Sequence, residues 1–117
     1  RDSQARYMVL EHLRSADPML QAVERFVRKN LDRQIALAEL AQAAATSPRT
    51  LARRIHAAVG LTPQRLVQRI RIAQAAHLLE TTRESVEQIA ARVGYADAAA
   101  FRRVYRQHFG EAPRKAR

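Results

Sequence analysis

Arg53 and Arg103 stand at matching places in two stretches that lie about fifty residues apart. Each has further arginine around it, Arg49 and Arg54 beside the first, Arg102 and Arg106 beside the second. A guanidinium is planar and permanently charged, and its donors form a fixed fork that fits the paired acceptors of a guanine edge or the oxygens of a phosphate. That is binding chemistry, and the groups a catalyst needs are not assembled beside it. The chain has no cysteine, which excludes disulfides and thiolate metal sites and fits a reducing compartment. His12, His56, His77 and His108 are far apart, and none has an acidic or histidine partner at ligand spacing on one helix face, so no metal site is expected. The three glycines sit at turns and form no phosphate-cradling loop. No serine, acid and histidine set suggests hydrolysis. The expectation is a protein that is not an enzyme and needs no cofactor.

The charge points the same way. Among 117 residues, 21 Lys+Arg against 11 Asp+Glu give a formal net charge of +10, which suits a polyanionic partner. A hydrophobic fraction of 47% is ample for a helical core. No apolar run approaches the roughly 18 residues of a membrane span, and no signal peptide is seen, so a cytoplasmic, nucleoid-associated location is expected. The chain opens on Arg1 rather than Met, and an upstream segment is expected before it.

The elements that must hold these arginines follow from periodicity and punctuation. Residues 1–16 are mixed in character and read as a connecting arm. Asp17-Pro18 starts a helix to about Asn30, with Met19, Leu20, Val23, Phe26 and Val27 at helical spacing. A second runs over Leu37 to Ala44, with Leu37, Leu40, Ala41 and Ala44 on one side and Ala36 as a poor cap. Ser47-Pro48 starts a third, which buries Leu51, Ala52, Ile55 and Val59 and stops at Gly60. Thr62-Pro63 opens a long helix to Thr81. There Leu66, Ile70 and Ala73 make one stripe and Ile72, Ala76 and Leu79 another, about 120° apart, as expected of a helix that touches two cores. His77 lies near the first stripe and is expected to be packed or hydrogen-bonded. Ser85 and Gln88 form a capping box, and Asp97 caps the last helix, in which Phe101, Val104, Tyr105 and Phe109 point inward before Gly110 and Pro113.

Leu51, Ile55, Val59, Gly60 and Pro63 recur in type as Phe101, Tyr105, Phe109, Gly110 and Pro113, and Leu40-Ala41 recurs as Ile89-Ala90 with one extra residue in the later turn. Such a period suggests duplication. The reading is an all-α fold of about seven helices: an arm over 1–16, a first helix-turn-helix subdomain over 17–62, a linking helix over 63–81 and a second subdomain over 82–117. Two helices joined by a short turn, the second carrying arginines away from its core face, is the arrangement that places a helix in the DNA major groove. A linking helix about 28 Å long would let two reading helices lie near one turn of duplex apart, about 34 Å. Ser47, Thr50, Arg54, Arg106, Arg114 and Lys115 are candidates for phosphate contact. For Arg14, Arg25, Arg28, Arg33, Arg65 and Arg92 a solvated charge or an ion pair is the preferred reading.

Val86-Glu87-Gln88-Ile89-Ala90, Val93-Gly94-Tyr95, Phe101-Arg102-Arg103 and Phe109-Gly110-Glu111-Ala112-Pro113 together resemble the signature of the AraC/XylS family of bacterial transcription regulators. The resemblance covers nearly the whole chain from about Pro18. It implies sequence-specific binding of double-stranded DNA within a transcriptional activator, RNA polymerase as a partner, and an upstream sensing or dimerisation domain. Carried over position by position, it places Arg49, Ala52 and Arg53 of the first unit, and Ala98, Ala99, Arg102 and Arg103 of the second, against bases. Ala98 and Ala99 depart from the polar residues members often have there, and the end of the chain lacks the family's tyrosine after Pro113. The arm, with Gln4-Ala5-Arg6-Tyr7, is similar to the linker of members whose upstream domain has a DJ-1/PfpI amidotransferase-like fold. Two other functions stand beside this one: nucleic-acid binding without sequence choice, by a nucleoid or RNA-binding protein, and a helical protein-interaction module.

Overall fold

A computed structural model describes residues 17–115; the arm and the last two residues lie outside the described part. Six helices fill it, close to the number expected: α1 Pro18–Lys29, α2 Leu37–Ala43, α3 Pro48–Val59, α4 Pro63–Thr81, α5 Val86–Arg92 and α6 Ala98–Phe109. No strand occurs among the described residues.

The helix starts are chemically specified. Asp17 Oδ1 accepts from the Met19 amide at 2.8 Å, Ser47 Oγ from Thr50 at 3.1 Å, Thr62 Oγ1 from Arg65 at 3.2 Å and Asp97 Oδ1 from Ala99 at 3.0 Å. Ser85 and Gln88 close a reciprocal capping box at 3.0 and 2.8 Å. Ala36 offers no side-chain cap, and Glu39 compensates by accepting from the Ala36 amide at 2.9 Å. Gly60 and Gly110 end α3 and α6 in left-handed conformations, φ 72° and 80°.

The two turns repeat in hydrogen bonding as well as in sequence. Thr46 N–H reaches the Ala41 carbonyl at 3.0 Å, and Tyr95 N–H reaches that of Ala90 at 2.9 Å. The positive-φ position is Ala45 in the first turn and Gly94 in the second. Ala96 is then the additional residue before the Asp97 cap.

Two cores form on opposite parts of α4. The first joins Leu20, Val23 and Val27 of α1, Leu40 of α2, Leu51 and Ile55 of α3 and Leu66 and Ile70 of α4. The second joins Ile72, Ala76 and Leu79 of α4 to Ile89 and Ala90 of α5 and Phe101, Tyr105 and Phe109 of α6. This is the division that the two stripes on α4 predict. The second core carries an aromatic ladder, Tyr95–Phe101–Tyr105–Phe109, with successive ring centroids 5.6, 5.8 and 4.8 Å apart.

Two side chains lie elsewhere than their periodicity suggests. Leu37 is 44% exposed. It opens a short helix, and because helical side chains lean toward the N-terminus, its own overhangs past the core into a cleft between the two units. His77 is exposed rather than packed. It continues the Ile70 stripe by two turns, but by that point α4 has outrun the first core, and the second core lies at another angle around the helix.

Candidate nucleic-acid interface

The second helix of each unit presents its charge on one side. Neither α3 nor α6 contains an acidic residue. In α3, Leu51 and Ile55 are fully buried, Ala52 is half-buried, and Arg49 and Arg53 are exposed one turn apart. In α6, Phe101 and Tyr105 are buried, Ala98 is half-buried, and Ala99, Arg102, Arg103 and Arg106 are exposed.

Ion pairing sorts these arginines in a way their positions do not. Arg54 Nη2 donates to Asp17, the residue that caps α1, so it ties α3 back to its own unit. Arg102 Nη2 donates to Glu87 of α5 at 2.6 Å. That hydrogen bond, with help from the Glu87 backbone amide, holds the Glu87 carboxyl below its usual range. Arg49, Arg53, Arg103 and Arg106 make no ion pair with any described residue. Arg53 and Arg103 therefore keep matching places, exposure and free guanidinium forks in the two units.

The phosphate candidates divide similarly. Ser47 is exposed at the start of α3, its oxygen accepting from the Thr50 amide while its hydroxyl proton stays available. Thr50 is half-buried beside it. Arg106 and Arg114 are exposed, whereas Lys115 Nζ donates to the Thr82 carbonyl and is tied to the second unit. Among the other arginines, Arg28 donates to Gln74 at 3.0 Å, Arg33 grips Glu39 with both terminal nitrogens, and Arg92 meets Glu84 at 2.7 Å, as expected of structural or solvated charges.

One residue escaped the sequence reading. Arg71, on α4, is only 7% exposed and donates to backbone carbonyls of both units. Its one signal in sequence was a charge between Ile70 and Ile72, where the linking helix passes from one apolar stripe to the other.

Fold and site define a class: a pair of helix-turn-helix units sharing one long helix, with a basic, acid-free outer face on the second helix of each. A family model described as a helix-turn-helix domain matches residues 40–117. The chain belongs to the AraC/XylS family of helix-turn-helix regulators. It is 34% identical over 112 residues to the HTH-type transcriptional activator RhaS of Enterobacter sp. strain 638, covering 96% of this chain and 40% of that protein. The chain thus spans less than half the length of such relatives. Among solved structures it resembles the DNA-binding domain of AdpA in complex with a target DNA, with TM-score 0.70 and 33% identity over 84% of this chain and 87% of that one. An AraC-type regulator from Chromobacterium violaceum gives TM-score 0.76 at 26% identity, covering 82% and 86%.

Proposed function

We propose that this domain binds double-stranded DNA with sequence choice, as the DNA-binding part of a bacterial transcriptional activator, α3 and α6 entering successive major grooves on one face of the duplex. The observation that carries the reading is the matched pair Arg53 and Arg103, exposed and without ionic partners among the described residues, on two acid-free helices that share one rigid spacer. The AdpA domain, similar over most of its length, is held on a target DNA. A longest dimension of 41 Å suits two grooves about 34 Å apart. Arg49, Ala52 and Arg53 would face bases in one groove, and Ala98, Ala99, Arg102 and Arg103 in the other. Ser47, Thr50, Arg106 and Arg114 would hold phosphates, joined by Arg54 and Lys115 where they leave their intramolecular partners. RNA polymerase and an upstream sensing or dimerisation domain, reached through the arm at 1–16, complete the proposed regulator in the cytoplasm.

The test is selection of bound duplexes from a random-sequence pool at about physiological salt, which suppresses non-specific retention. Two enriched blocks about 10 bp apart support reading by both units. Retention of DNA without enrichment points to a nucleoid-type binder instead. A single enriched block fits a second reading: the Arg102–Glu87 pair and the methyl faces of Ala98 and Ala99 leave the second unit mainly as a grip on the backbone.

A further inference from the structure

Arg71 sits where the two units meet. Its Nη1 donates to the carbonyls of Leu31 and, at 3.2 Å, Val93, and its Nη2 donates to that of Arg33 at 2.7 Å. Leu31 and Arg33 belong to the loop between α1 and α2, and Val93 caps the end of α5. One side chain on the shared helix thus holds backbone from both units. As core filling it is a poor choice, because a buried charge whose hydrogen-bond partners are carbonyls is less favourable than an apolar residue of similar size. Burial pushes its pKa down from the usual value, with the Tyr95 side chain acting the other way.

The surroundings are built to be stiff. Arg33 locks the loop that Arg71 grips, donating to Glu39 at 3.1 and 2.9 Å, to the Gln34 carbonyl at 2.9 Å and to Asn30 at 3.2 Å. On the other side, the turn of the second unit comes so close that a Cβ on Gly94 would lie 2.6 Å from the Leu31 carbonyl and 2.5 Å from Arg71 Nη1. Among the described residues, the substantial helix packing runs within a unit or onto α4, not from one unit to the other. Packing on a single helix sets the distance between the units along its axis but leaves each free to rock about it. The junction of Arg71, Leu31, Arg33 and Gly94 closes that freedom.

We propose that Arg71 is a positioning residue that fixes the relative orientation of α3 and α6, so that the domain accepts one spacing between its two half-sites. This rests on the two-groove reading above. One base pair more or less displaces a half-site by about 3.4 Å and rotates it by about 35°. A rigid two-headed reader then falls back toward the affinity of one head.

The experiment measures binding of the wild-type chain, Arg71→Met and Arg71→Lys to duplexes carrying the selected half-sites at the selected spacing, at one base pair longer and shorter, and to a single half-site. Wild type should lose about tenfold or more on either shifted duplex. Both variants should flatten that profile to about two- to threefold while keeping wild-type affinity for the single half-site. A variant profile as steep as wild type overturns the assignment, and so does an equal loss on every duplex. No spacing dependence in wild type overturns the two-groove reading itself, a result distinct from either of those. A second measurement needs no DNA: the chain has no cysteine, so Ala57→Cys and Gln107→Cys, both exposed, take spin labels selectively. The distance distribution between them should broaden in Arg71→Met, and an unchanged width counts against the proposal. Unfolding of both variants under conditions where wild type is folded also overturns it, making Arg71 a folding element.

Discussion

Arg103→Ala separates base reading from backbone gripping. Arg103 is exposed, makes no ion pair with a described residue and lies within a helix capped at Asp97, so its removal strands no buried group. Alanine is also the better helix former. Stability should change by no more than about 0.5 kcal/mol. Against DNA the expectation is larger: a bidentate contact to guanine is worth about 1–3 kcal/mol, or about 5- to 150-fold in affinity. Fluorescence anisotropy titrations would use the selected duplex, the same duplex with the contacted base pair changed, and a random duplex, from about 50 to 200 mM salt. If Arg103 reads a base, the loss appears on the selected duplex, nearly vanishes on the other two, and leaves the salt slope unchanged. If it neutralises a phosphate, all three duplexes lose alike and the slope falls by about 0.9. Equal losses with the reduced slope would refute base reading and move Arg103 to the company of Arg106.

Three further outcomes follow from the geometry. Glu87→Gln should release Arg102 and tighten binding to any duplex, most visibly at low salt; unchanged affinity in anisotropy titrations would mean that Arg102 leaves Glu87 at no cost. Gly60 and Gly94 both have positive φ, but an added Cβ meets nothing within 4 Å at the first and a backbone carbonyl at 2.6 Å at the second. Gly60→Ala should therefore cost only the conformational penalty of about 1–2 kcal/mol, and Gly94→Ala distinctly more, with urea midpoints as the measure and equal midpoints as the contrary result. Burial and the nearby Arg69 charge hold the His108 imidazole below its ordinary 6.5, and its Nε2 is buried without a hydrogen-bond partner among the described residues. The unfolded chain thus takes up a proton that the native one refuses, so stability should fall as pH drops from 6.5 toward the lower native value. That fall should be absent in His108→Gln, and parallel curves of urea midpoint against pH for the two proteins would contradict it.

What was legible in the sequence was whatever a local rule governs. Leu51 and Phe101 are core positions because each lies at helical spacing between a capping residue and a terminating glycine, and the same holds for Ile55 and Tyr105. The two stripes on α4 could be read because side-chain direction around a helix follows from position alone. What could not be read depends on where a neighbour from elsewhere in the chain arrives. Arg54 meets Asp17 across 37 residues and Arg102 meets Glu87 across 15, and nothing local to either arginine announces it. Leu37 and His77 obey their helical periods, yet each stands where the core has no more surface to offer. Arg71 is the extreme case, since its partners are backbone carbonyls, which every residue has and no sequence pattern marks.

The pairings also make the two units unequal. The first keeps two guanidinium forks without ionic partners among the described residues, Arg49 and Arg53, one turn apart on a face whose next residue inward is a small alanine that would let the helix approach a groove floor. The second offers Ala98 and Ala99 where the first has a proline and Arg49, and its Arg102 is held by Glu87, so that only Arg103 and Arg106 of α6 are left without an ionic partner among the described residues. Two forks on successive turns can read successive base pairs, whereas one fork beside methyl groups can select a guanine and exclude little else. On the proposed two-groove reading, rigid attachment through Arg71 would give the second unit its use: once the first unit has chosen a site, the second would be presented to a fixed position on the duplex, where even modest discrimination adds to the whole. The half-site met by α3 should accordingly tolerate fewer base changes than the half-site met by α6, and single-base substitution across the selected duplex would show the reverse order if the free arginines of α3 only hold phosphates.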